Sequence, residues 1–164
     1  MTIMRVSLSG TTLSDAQKEV LAARLIDAFA AIEVGHAAPE VEAGFVVLFE
    51  TLERTDLWMG KRPMADATAS GRVAIVSAQV MAGPWNDEMK RDLFRTIEGV
   101  VRDAAEIPKE GNGANFWMTI VEVPEGGWGL GGRPVSIAKL APVFQEDRRE
   151  RIGRYLERHW SASS

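Results

Sequence analysis

The chain has 164 residues, a formal net charge of −4 and no cysteine, so disulfides, zinc–thiolate sites and thiol nucleophiles are excluded. A chain this long buries a core without staples, and an acidic balance gives no basic surface for nucleic-acid phosphates. No apolar run approaches the roughly 20 residues that cross a bilayer, and no signal peptide opens the chain, so the expectation is a cytoplasmic protein without membrane or nucleic-acid partners.

Ile3 to Ser9 alternates apolar Met4, Val6 and Leu8 with Arg5, Ser7 and Ser9, the pattern of a half-buried strand. Ser14 followed by Gln17 is a capping-box pair that starts a helix. Leu21, Leu25, Ala28, Phe29 and Ile32 share one helical face, and Gly35 is placed to end it. Phe45–Glu50 is almost wholly apolar and suits a parallel strand covered by its crossover helix. Lys61–Gly71 reads as a connection with room for a short hairpin. A second strand–helix–strand set follows in Val73–Met81, a helix capped by Asn86 with Met89, Leu93, Ile97, Val100, Val101 and Ala104 inward, and Phe116–Val123. A glycine-rich stretch, Gly126 to Pro134, precedes short apolar Val135–Leu140, and Glu146–His159 reads as a charged helix docking through Ile152, Tyr155 and Leu156.

The two sets are a repeat at an offset of 72 residues, the separation of Lys18 from Lys90. Asp15 matches Asp87, Leu21 matches Leu93, Leu25 matches Ile97, Leu48 matches Ile120, Glu50 matches Glu122 and Gly60 matches Gly132. The expectation is one α/β (α+β) domain over residues 1–164, with pseudo-repeats at 2–60 and 73–140 and a C-terminal helix within 145–160. Two βαβ units then make a four-stranded mixed sheet with two helices on one face.

Several other signals carry no chemistry. Gly129-x-Gly131-Gly132 has Pro134 rather than a helix behind it, so a dinucleotide cradle is not formed. His36 and His159 lack metal-ligand spacing, so no metal and no cofactor is expected. Glu50 and Glu122 read as structural strand ends.

The ordered set of Ser14-Asp15-x-Gln17-Lys18, Phe45…Glu50, Leu57-Trp58-Met59-Gly60, Ala104-Ala105-Glu106-Ile107 and Trp117…Glu122-Val123-Pro124 resembles the tautomerase superfamily. The likeness is to its fused double-βαβ branch, which holds cis-chloroacrylic acid dehalogenase and malonate semialdehyde decarboxylase; oxalocrotonate tautomerase is the short form. The resemblance implies a homotrimer without cofactor, whose amino-terminal proline moves protons once the initiator methionine is gone. Here Thr2 stands at that position, so the Thr2 amine is the candidate catalytic group. By the same alignment the branch's paired arginines fall on Ala82 and Trp85, its histidine on Phe29, its tyrosine on Thr119 and its glutamate on Leu130. Dehalogenation is therefore not expected.

Arg133 is the candidate for holding an acidic ligand, and Trp85, Trp117 and Trp128 are candidate walls of a pocket around the amino terminus. For the tryptophans, subunit packing is the competing account. Two functions stay open. One is a weak keto–enol isomerase acting on a small keto or enol acid through the terminal amine. The other is a non-catalytic trimeric binding or scaffold protein that kept the fold.

Overall fold

The computed structural model describes residues 1–111 and 113–161. Four long strands form one sheet in the order β2-β1-β5-β6: β1 is Thr2–Ser9, β2 Phe45–Leu52, β5 Val73–Met81 and β6 Phe116–Val123. β1 runs parallel to β2 and β5 parallel to β6, while the central pair β1 and β5 is antiparallel. Helices α1 (Asp15–Phe29) and α3 (Asp87–Ala104) are the crossovers of the two units, and α2 is the single turn Pro39–Glu42. β3 (Trp58–Met59) with β4 (Arg62–Pro63), and β7 (Gly129–Leu130) with β8 (Arg133–Pro134), are two-residue hairpins. The chain ends in α4 (Ile137–Leu140) and α5 (Glu146–Ser161). The expected mixed α+β sheet with both crossover helices is present.

Local chemistry explains the element boundaries. The Ser14 hydroxyl accepts the Gln17 backbone N–H at 3.3 Å and the Gln17 side-chain oxygen accepts the Ser14 N–H at 2.9 Å, so two free donors at the start of α1 are satisfied. Asn86 caps α3 with a single bond, accepting the Met89 N–H at 2.8 Å. Met4, Val6 and Leu8 of β1 and Val76, Ala78 and Val80 of β5 face the helices, where Leu21, Leu25, Phe29, Leu93, Ile97 and Val101 close the core. A second apolar cluster joins Val34, Val41, Met81, Trp128, Ile137, Phe144, Ile152 and Leu156, and it seats the C-terminal elements at one end of the sheet.

The repeat carries a one-residue shift that the 72-residue register conceals. Helix and first strand keep that offset, since Leu21, Leu25 and Phe29 are buried where Leu93, Ile97 and Val101 are. β1 pairs Thr2 with Phe45, whereas β5 pairs Ala74 with Phe116, so the second strand of each unit follows at an offset of 71. Phe45, Val47 and Phe49 therefore correspond to Phe116, Met118 and Ile120, all packed beneath the helices. Leu48 instead lies on the opposite face and is not the counterpart of Ile120. One residue is lost between helix and strand, and period-two alternation turns that loss into an exchange of faces. Glu50 thus sits on the outer face with Ser7 and Arg5, while Glu122 pairs with Lys90 of α3. The hairpins follow the same shift: Gly60 and Gly131 both adopt positive φ, at 65° and 57°, and Arg62-Pro63 matches Arg133-Pro134.

Candidate functional site

α1 does not run straight to its glycine stop. After Phe29 the chain takes a five-residue π-helical turn, Ala30–Val34, before Gly35 ends it at φ 98°. Glycine suits Gly35 because a side chain would be strained at that φ, and its Cβ would also displace the Gln145 side chain, which lies 2.3 Å from that position. π-Turns inside helices are uncommon and concentrate at functional sites. This one delivers Glu33 into the interior, with 1% of its surface exposed.

Glu33 meets the start of β1. The fully buried Thr2 donates its hydroxyl to Glu33 Oε2 at 2.7 Å, and the Thr2 backbone N–H donates to the Gly44 carbonyl at 3.0 Å. Glu33 Oε1 is buried without a hydrogen-bond partner among the described residues. Burial drives the Glu33 carboxyl up from 4.5 to about 7, against the pull of the charged amino terminus, the Thr2 hydroxyl and the Met81 backbone amide. The Met1 ammonium is displaced the opposite way, below 8.0, by the same desolvation, with the negative charge of Glu33 partly restoring it. An acid raised and an amine lowered within one site bring both groups toward neutrality, where either can give or take a proton.

Met1 and Glu33 line a cavity of about 80 Å3. Val34, Val41, Phe45, Met81, Leu140 and Phe144 make its apolar walls, and exposed Glu40 adds a second carboxylate. Among the described residues no lysine, arginine or histidine lines it. The far wall comes from the C-terminal segment, whose Gln145 N–H donates to the Val34 carbonyl at 3.0 Å. Gln145 Nε2 donates to the Gly35 carbonyl at 2.7 Å, and Arg148 donates to the Ile32 carbonyl at 3.2 and 3.4 Å. The carbonyls that the π-turn leaves open are thereby satisfied from α5 and the residue before it.

The residues singled out from sequence are distributed around this site. Thr2, fully buried, hydrogen-bonds Glu33 but does not itself line the cavity. Trp128 belongs to the adjoining apolar cluster, buried and without a partner for its indole N–H among the described residues. Trp85 is buried in the main core and donates to the Met81 carbonyl at 3.2 Å. Trp117 is 51% exposed on the outer sheet face, and Arg133 is exposed on the β7–β8 hairpin. Trp85, Trp117, Trp128 and Arg133 do not line the cavity. Glu33 went unnoticed in the sequence, although Leu21, Leu25, Phe29 and Glu33 stand at four-residue intervals on the buried face. A carboxylate at the end of such a series was the available signal.

The sequence matches no protein-family model and no curated protein. Solved structures do match. A native fused 4-OT aligns over 80% of this chain and 94% of its own, with 26% identity and a TM-score of 0.63. The F6 fused 4-OT, a wild-type asymmetric trimer, aligns over 80% and 94% at 20% identity and a TM-score of 0.61. A macrophage migration inhibitory factor-like protein from Entamoeba histolytica aligns over 82% and 98% at 13% identity and a TM-score of 0.60. The chain has the fused fold of the tautomerase superfamily.

Proposed function

We propose that this protein moves protons on a small carbonyl compound, with its terminal amine as base and Glu33 as acid. The observation that carries the reading is that Met1 and buried Glu33 line one largely apolar cavity. An amine held below its ordinary value has a neutral fraction near pH 7 that accepts a proton from the carbon beside a carbonyl. The electron pair of the broken C–H bond moves onto the carbonyl oxygen, and protonated Glu33 donates its proton there to give the enol. The reverse steps restore the ketone. Apolar walls exclude water and strengthen both transfers. The Thr2 hydroxyl fixes the carboxyl by donating to one oxygen, which leaves the other for a substrate.

Processing of the terminus decides which residue supplies the amine. With Met1 present it is the methionine's; after its removal it is that of Thr2, the position at which the family resemblance puts the base. The trimeric fused 4-OT neighbours support self-association as well. The test is solvent-deuterium exchange beside the carbonyl of 2-butanone, on protein whose terminus is fixed by intact mass. Wild type is expected to exceed buffer, with Glu33→Gln and selective acetylation of the terminal amine each lowering the rate at least tenfold. A rate equal to buffer overturns the enzymatic reading in favour of a non-catalytic binding protein.

A further inference from the structure

Resting on that reading, the charge of the cavity defines what enters it. Its polar lining consists of a terminal amine and two carboxyl side chains, Glu33 and Glu40, with no cationic side chain. The amine that accepts the proton is uncharged, so no positive charge remains to meet a carboxylate on a ligand. Buried carboxylates are tolerated when a cation or several donors meet them, and are rejected when they are desolvated beside another carboxylate. Arg133, the cationic candidate the sequence offers for holding an acid, stands exposed on the β7–β8 hairpin and does not line the cavity. One buried acceptor does face an open need: Glu33 Oε1, without a partner among the described residues. A carbonyl oxygen satisfies it when the carboxyl is protonated, and an N–H or O–H group does so when it is ionised.

We infer that the site selects an uncharged carbonyl compound, one small enough for a cavity of about 80 Å3, and disfavours keto acids. Selection then comes from the unpaired carboxyl oxygen and the apolar walls rather than from ion pairing.

Amine labelling tests this without requiring turnover. The probes are 3-pentyn-2-one and 2-oxo-3-pentynoate, equal in carbon skeleton but differing by a methyl group in place of a carboxylate. In each case the amine nitrogen bonds to the distal alkyne carbon, its proton passes to the neighbouring carbon, and nothing leaves. Rates are measured by mass spectrometry of the intact protein and divided by those of the peptide amide Met-Thr-Ile, or Thr-Ile-Met if Met1 is absent. This division removes the intrinsic reactivity of each probe. The neutral probe is expected to show at least a tenfold greater relative rate, and Glu40→Gln to narrow the gap by selectively raising the rate with the anion. An equal or faster relative rate for the anion overturns the inference; its loss in Arg133→Ala would locate the missing cation on the hairpin. A neutral-probe rate no greater than the peptide's also overturns it. Discrimination between the probes without deuterium exchange into 2-butanone leaves the neutral-ligand site standing and removes the proton-transfer reading alone.

Discussion

Glu33 sets the pH response of the fold because its carboxyl titrates near 7 when folded and near 4.5 when unfolded. Between those values the folded chain holds a proton that the unfolded chain has released, so this group makes stability fall as pH rises. The full window is worth about 3 kcal/mol. The amine works in the opposite sense. Its folded value lies below 8.0, so the unfolded state binds the extra proton and stability rises toward that pH. Wild type is therefore expected to lose stability through Glu33 between pH 5 and pH 7, while Glu33→Gln, which keeps an acceptor for Thr2, is expected to lose that dependence. Urea midpoints at the two pH values check this, and parallel curves for both proteins would contradict it. A companion change, Thr2→Val, removes the hydroxyl donor that favours the charged carboxylate. It should move the Glu33 carboxyl further up, read from its NMR titration.

At the scale of elements, the unusual join is between the π-turn and the C-terminal segment. A π-turn adds a residue to the helix, which rotates the later positions and brings Glu33 rather than Ile32 against β1. The Ile32 carbonyl is then met by Arg148, and the carbonyls of Val34 and Gly35 by Gln145. Arg148 is also held by Asp147, whose carboxyl lies below its usual range through bonds with Arg148 and Arg151. Arg148→Ala should cost about 1–2 kcal/mol, the scale of a charge-assisted bond to a partly buried carbonyl. It should also slow labelling of the terminal amine by loosening the turn that holds Glu33. Chemical denaturation and the labelling rate check the two effects separately, and Arg148→Lys should restore only part of each, because one ammonium cannot reproduce the paired guanidinium donors.

These elements also mark what a sequence can reveal. The strand alternation in Met4–Leu8, the capping pairs at Ser14 and Asn86 and the helix face from Leu21 to Phe29 act locally, so their pattern is written in neighbouring residues. The 72-residue repeat found both units by the same logic. It misplaced Leu48 against Ile120 because a single deletion leaves most identities nearly aligned yet exchanges sheet faces. The π-turn was illegible for a different reason: Gly35 ends a helix of either kind, and the partners of the freed carbonyls lie more than a hundred residues away. The four-residue spacing marks Glu33 as a carboxylate on a buried face, but its hydrogen bond to Thr2 joins residues 31 apart and is set only by the fold.

For the molecule as a whole, the sheet face opposite the helices is unfinished. Val46, Leu48, Trp117 and Val121 stand 43–52% exposed there, beside the polar island of Arg5, Ser7 and Glu50. β2 and β6 are the outer strands of the four-stranded sheet, so each presents an unpaired backbone edge. Exposed Leu130 and Trp58 sit on the two hairpins, and Trp58 and Trp117 flank one shallow apolar depression with Ile75 and Met64. An apolar face with open edges is the surface that association covers, and closed symmetry around it protects every copy alike. Three copies packed sheet inward would cover the face and let each hairpin meet a neighbour's edge. The protein is accordingly expected to elute and scatter as a trimer at micromolar concentration. Val121→Lys places a charge in the middle of the covered surface and should raise the dissociation constant at least tenfold, with the far-ultraviolet spectrum unchanged. Trp160→Lys, an equally exposed aromatic on α5 rather than the sheet, should leave the assembly intact. A monodisperse monomer for wild type, or loss of the trimer in both variants, would remove the sheet face as the interface.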